Sequence, residues 1–142
     1  MNIRKAEIND ASAISKICTD DLGYKCNVEL VSDRLKNIDV KREIVYAAEI
    51  DGTVVGYIHV EIYNTLYFET MINILGIAVS SDRRRQGIGR ALLSRAEEWG
   101  KENSVKIVRL NSGGSRKEAH NFYRAMGYDD EKMQVRFLKK LK

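Results

Sequence analysis

Apolar positions along the chain change period several times, and each change marks an element. Ala13, Ile14, Ile17 and Cys18 fall on one face of a helix that Asp10 is placed to cap and that ends near Leu22-Gly23. Val28, Val31, Leu35 and Ile38 mark a second helix, beginning after Asn27. The period then shortens to two. Ile44 to Ile50 and Val54 to Tyr63 read as strands joined by Asp51-Gly52, a pair that favours the tight turn of a hairpin. Within the second strand Ile58, Val60 and Ile62 point one way, and Tyr57, His59, Glu61 and Tyr63 the other. Ile72 to Val79 is almost continuously apolar, as expected of a strand covered on both faces.

After Ser80-Ser81-Asp82 and three arginines the helical period returns, with Ile88, Leu92, Ala96 and Trp99 as its buried stripe. Val105 to Leu110 reads as a short strand. Ser115 and Glu118 form a capping box for a helix whose Ala119, Phe122, Tyr123 and Met126 share a face and whose C′ residue is Gly127. Gln134 to Leu141 reads as a last strand. The order βαα-βββ-αβαβ predicts an α/β fold built on a mixed sheet with helices on both faces. The chain has 142 residues and no proline, and nothing in it marks a linker, so residues 1–142 are read as one domain.

Charge adds what periodicity does not. The net charge of +4 is the sum of −1 over residues 1–50, −3 over residues 51–80 and +8 over residues 81–142. A basic C-terminal half suits a polyanion, and a middle segment without a single Lys or Arg suits a cation. The aromatic residues are not interleaved with the basic clusters as a single-strand nucleic-acid platform would need, so nucleic acid is not the expected partner. No run approaches the ~18 apolar residues that span a bilayer, and polar residues follow Met1 to Lys5, so a cytoplasmic protein without a membrane partner is expected. Cys18 and Cys26 match no zinc or redox spacing and are read as reduced thiols, and no metal motif is present.

The stretch Val79-Ser-Ser-Asp-Arg-Arg-Arg-Gln-Gly-Ile-Gly89 passes from a buried strand straight into a helix. Gly87 and Gly89 let backbone approach a ligand closely, and the first-turn N–H groups have no internal acceptors, so they point at any anion docked there. Arg84, Arg85 and Arg90 add charge-assisted contacts to phosphate oxygens. This is neither a Walker loop nor a GxGxxG dinucleotide fingerprint.

The same stretch resembles the acetyl-CoA loop of GNAT (GCN5-related N-acetyltransferase) proteins, R/Q-x-x-G-x-G/A, with Arg84, Gly87 and Gly89 in the matching places. Asn111 to Tyr128 is similar to that superfamily's segment ending A-x-x-F-Y-x-x-x-G-F/Y, here Ala119, Phe122, Tyr123, Gly127 and Tyr128. Leu22-Gly23-Tyr24, Ala48 to Gly52, Val55-Gly56 and Arg136 to Lys139 resemble a branch of small members that includes aminoglycoside-acetyltransferase-like proteins.

The resemblance implies the GNAT acyl-CoA N-acyltransferase fold, with a splayed gap between the strands ending at Val79 and Asn111. It implies acetyl-CoA as cosubstrate and no metal. Pantetheine would lie in the gap on the backbone of Ile77, Ala78 and Val79. The phosphates would sit on Arg84, Arg85, Gln86, Gly87, Ile88, Gly89 and Arg90, with Asn111, Arg116, Ala119, Phe122 and Tyr123 completing the cofactor site. The N–H of Ile77 would serve the oxyanion, and Tyr123 the leaving thiolate. Asn73 stands where a branch of the family has a basic glutamate. An amide takes no proton, which leaves it to orient a water and Glu69, Glu61, His59 or His120 to receive the proton. The expected activity is transfer of acetyl to a primary amine of a small cationic molecule, a polyamine or aminosugar, by a monomer or homodimer. Peptide acetylation, acetyl-CoA sensing without transfer, and a basic nucleic-acid-binding module are the alternatives.

Overall fold

The computed structural model describes all 142 residues, which fall into two compact units, residues 1–110 and residues 111–142. The first is built on a five-stranded sheet: β1 (Asn2–Lys5), β2 (Glu43–Ile50), β3 (Thr53–Tyr63), β4 (Met71–Val79) and β5 (Val108–Leu110), side by side in chain order. The pairs are antiparallel except β4 with β5, which are parallel. Asp51 and Gly52 turn the β2–β3 hairpin with φ of 51° and 77°. That double left-handed geometry matches the twist of the flanking strands, which is why the Asp-Gly pair is favoured there.

Helix α1 (Ala11–Asp21) lays Ile14 and Ile17 against Val45, Tyr57 and Ala78, and Val31 and Leu35 of α2 (Val28–Lys36) join that cluster. The opposite face carries α3 (Ile88–Glu102), whose Ile88, Leu92, Leu93 and Ala96 are buried along with Ile58, Val60 and Ile72 of the sheet. Gly56 makes this approach possible: a Cβ there would meet the Ala78 carbonyl at 3.0 Å and the side chains of Leu92 and Ile88 at 3.2 and 3.3 Å. The mixed sheet with helices on both faces is thus the observed architecture.

Several local expectations change. Asn27 caps α2 by accepting from Leu30 N–H at 2.7 Å, but Asp10 does not cap α1. Its carboxylate accepts from Glu7 N–H and from the Arg4 guanidinium, both at 2.7 Å, and an ion pair outcompetes a neutral cap. The last strand of this unit starts at Val108 rather than Val105, because Val105 N–H closes the end of α3 on the Gly100 carbonyl at 2.8 Å.

In the second unit α4 (Lys117–Ala125) has Arg116, not Ser115, at its N-cap, with no side-chain cap, so the expected capping box does not form. Gly127 ends the helix as read, with φ of 92° and Tyr128 N–H on the Tyr123 carbonyl at 3.0 Å. Gln134 to Leu141 is not a strand. Its alternation is real, but residues 111–142 contain no strand for it to pair with, and an unpaired strand is not stable in water.

Candidate active site

Strand β4 changes partners along its length. Its ladder to β5 covers Ile72, Asn73 and Ile74 only, after which β4 runs on to Val79 with no strand partner on that side. At the same point the register with β3 slips: His59 pairs with Gly76 but Val60 with Ile74, so Leu75 is the extra residue of a bulge. Ser80 N–H bonds to the Val55 carbonyl across β3–β4 at 2.8 Å. Backbone direction alternates along a strand, so Ala78 and Gly76 also face β3, while Ile77 and Val79 turn their N–H and C=O groups to the open side. An extended ligand can therefore pair with Ile77 and Val79 as an added strand would.

The loop after β4 turns into α3 through two residues in the left-handed region, Arg85 at φ of 65° and Gly87 at 79°. Gly87 is the N-cap, and its carbonyl accepts the first helical bond, from Ala91 at 3.0 Å. The amides of Ile88, Gly89 and Arg90 are thus the unpaired donors of a helix with no acidic residue in its first turn. Arg84, Arg85, Gln86 and Arg90 are exposed around them, whereas the Ile88 side chain is buried. Asp21, the last residue of α1, holds the loop in place. Its nearly buried carboxylate accepts from Ser81 N–H at 3.1 Å and lies 3.9 Å from Arg84 Nη2.

On the face that carries α1, a polar row crosses the sheet beside the bulge. His59 Nε2 lies 2.7 Å from Glu43 Oε1. The Asn73 amide donates to Glu61 at 2.8 Å and accepts from Arg109 at 2.7 Å, and the Arg109 guanidinium stacks 4.8 Å over the Tyr63 ring. Glu61, Asn73 and Arg109 are direct cross-strand neighbours. Asn73 thus links Glu61 to Arg109 through the two ends of its amide. Tyr57 stands on the same face with its hydroxyl 3.1 Å from Cys18 Sγ, and burial pushes that phenol far above its ordinary range. Glu69 is not brought to this row: it is exposed in the loop between Tyr63 and Met71, beyond the strand ends.

Within the second unit, Ala119, Phe122 and Tyr123 share the half-buried side of α4, and the Phe122 and Tyr123 rings meet edge to face at 5.3 Å. Burial raises the Tyr123 phenol above its usual pKa, with Arg116 pulling the other way. The phenol therefore stays protonated at neutral pH. Asn111 and Arg116 are exposed, and His120 Nε2 lies 2.9 Å from the Gly113 carbonyl.

Asp21, Glu43 and Arg109 were not singled out by the sequence. Strand alternation puts Glu43 on the His59 face once β2 is extended by one residue, and Arg109 beside Asn73 once β5 is placed. Nothing local signals Asp21.

The open edge of β4 thus leads directly into an arginine-rich helix start that has no acidic residue in its first turn. Residues 12–128 match the acetyltransferase (GNAT) family. An uncharacterized N-acetyltransferase of Chlorobaculum tepidum is 31% identical over 131 residues, covering 90% of this chain and 75% of its own. An N-alpha-acetyltransferase of Sulfurisphaera tokodaii is 31% identical over 139 residues, 92% of this chain and 81% of its own. Among solved structures, the aminoglycoside antibiotic 6′-N-acetyltransferase of Acinetobacter haemolyticus superposes over the whole of both chains with a TM-score of 0.82 at 19% identity, a likeness of fold. The chain belongs to the GNAT acetyltransferase family, and its class of reaction is N-acetyl transfer. No helix is long and apolar enough to cross a membrane.

Proposed function

We propose that this enzyme moves the acetyl group of acetyl-CoA directly to a primary amine of a small cationic molecule, a polyamine or an aminosugar. The observation that carries the acceptor class is the polar row beside the Leu75 bulge, where Glu43 and Glu61 contribute two carboxylates. Segment charges alone suggested a face without cations. Arg109 corrects that, yet it is bound to Asn73 and stacked on Tyr63, and the row keeps a net negative sign. An ammonium is attracted there and must lose a proton before it attacks, so the rate rises with pH through that ionisation.

The backbone of Ile77 and Val79 receives pantetheine, the Ile77 N–H stabilises the oxyanion, and the N-terminus of α3 with Arg84, Arg85 and Arg90 takes the pyrophosphate. Tyr123 is assigned proton donation to the leaving thiolate on its chemistry, a phenol that burial keeps protonated. A second reading, acetylation of a peptide α-amino group, is favoured by the name of the Sulfurisphaera tokodaii relative. Thiol release from acetyl-CoA across polyamines, aminosugars, amino acids and peptides decides between them. Fastest release with polyamines or aminosugars supports the proposal; activity only on peptides, or a preference for neutral or anionic acceptors, refutes it.

A further inference from the structure

We infer that His59, oriented by Glu43, is the general base that deprotonates the acceptor amine; the inference rests on the acetyl-transfer reading above. His59 lies on β3 opposite Gly76 of β4, beside the bulge at Leu75 and one residue from Ile77. It therefore stands next to the point where the sheet opens and the outward amides begin. Gly76 has no side chain to intervene, and the nearest group a Cβ there would meet is the Tyr57 hydroxyl at 3.1 Å.

The pairing of the imidazole is that of a base held in one tautomer. Nε2 lies 2.7 Å from Glu43 Oε1, so Nε2–H donates to the carboxylate and Nδ1 keeps its lone pair. Both side chains are about 30% exposed, His59 29% and Glu43 32%, which leaves the imidazole within reach of a substrate while its partner fixes it. The groups facing it are Glu43 from β2, Glu61 two residues along β3, and, through Asn73 of β4, Arg109 from β5. On the other side stands Tyr57, hydrogen-bonded to Cys18 of α1.

The rival bases are worse placed. Glu61 is tied to Asn73 and through it to Arg109, so one of its carboxylate oxygens is already engaged. Asn73 is an amide, and Glu69 lies in the exposed loop beyond the strand ends.

One proton of the ammonium passes to His59 Nδ1 and on to solvent. The neutral amine nitrogen bonds to the acetyl carbon, giving a tetrahedral oxyanion; its collapse breaks the carbon–sulfur bond, and the second nitrogen proton ends on sulfur, giving amide and CoA thiol. The Glu43 carboxylate stabilises the imidazolium that exists between the two steps.

The test is the pH dependence of kcat/KM for acetyl-CoA and spermidine, measured by thiol release with the full chain. The wild type is expected to lose activity on the acid side through one inflection, as the base takes up a proton. H59Q is expected to lower kcat roughly 100-fold or more and to abolish that inflection, while acetyl-CoA affinity and the circular dichroism spectrum hold. E43Q keeps an acceptor for Nε2–H but removes the charge that favours the imidazolium, so the inflection moves to lower pH. H120Q, which removes the chain's other histidine, keeps the inflection. A wild-type pH profile in H59Q, or a loss of acetyl-CoA binding in H59Q with the inflection retained, overturns the assignment alone. A wild type that releases no thiol with any amine overturns the acetyl-transfer reading and this assignment together.

Discussion

Replacing Gly87 separates the two things the loop does, which are to adopt a left-handed turn and to leave room above it. Its φ is 79°, a conformation that costs a residue with a side chain about 1–2 kcal/mol. A Cβ built at this position meets nothing within 4 Å, so no packing inside the protein is disturbed. Against a total stability of about 5–15 kcal/mol the fold survives, with a fall in Tm of about 3–8 °C. Binding loses more than stability does. If the substituted loop relaxes out of the left-handed region, the amides of Ile88 to Arg90 are re-aimed, and binding must restore the strained form. That alone is worth the same 1–2 kcal/mol, or about 5- to 30-fold in Kd, for Gly87→Ala. Gly87→Val adds a branched side chain in the open space where the pyrophosphate is expected, and its affinity should fall by more than about 100-fold. Isothermal titration with acetyl-CoA measures both. Acetyl-pantetheine, which has no pyrophosphate, serves as the control and should be bound equally by all three proteins. A folded Gly87→Val protein with wild-type affinity for acetyl-CoA would refute the placement of the phosphates on this loop.

Tyr123→Phe is expected to lower kcat by roughly ten- to a thousandfold with acetyl-CoA affinity retained, since a general acid contributes about 10²–10⁴ and solvent partly substitutes; unchanged turnover in stopped-flow assays would return Tyr123 to a packing role. Asp10→Asn is expected to destabilise the fold by about 2–4 kcal/mol, because it breaks a bidentate pair with Arg4 at a residue only 6% exposed. Arg4 holds the Asp10 carboxyl below the usual carboxylate range, so its contribution is present above the unfolded pKa of about 3.9 and lost as pH falls through the lower folded value. Urea titrations at pH 7 and pH 3 should therefore show the gap between wild type and variant closing in acid.

What could be read in the sequence was what is local in the chain. The Asp51-Gly52 hairpin, the loop from Arg84 to Gly89 and the stripe of α3 are each written in consecutive residues, and each is found where it was read. Readings that depend on a competing partner went astray. Asp10 has the right spacing for a cap but finds Arg4 across the turn, a stronger acceptor relationship that no local rule weighs. Gln134 to Leu141 alternates as a strand does, but alternation specifies only which side chains share a face, not that a partner strand exists. The acceptor face shows the same limit. Summing charge by segment placed Arg109 with the basic C-terminal block, whereas the parallel pairing of β5 with β4 carries it to Asn73, among the acids of the middle segment. Asn73 looked like a lost catalytic glutamate, and only the structure pairs it with Glu61.

Transfer from acetyl-CoA to a small cationic amine is open to a competition in one tube. Wild-type enzyme is given acetyl-CoA with equal concentrations of spermidine and an unblocked peptide, and the products are followed by mass spectrometry alongside CoA thiol. Acetylated spermidine is expected to form first and in step with the thiol released. Acetylation of the peptide ahead of spermidine, or thiol release without an acetylated amine, would contradict it.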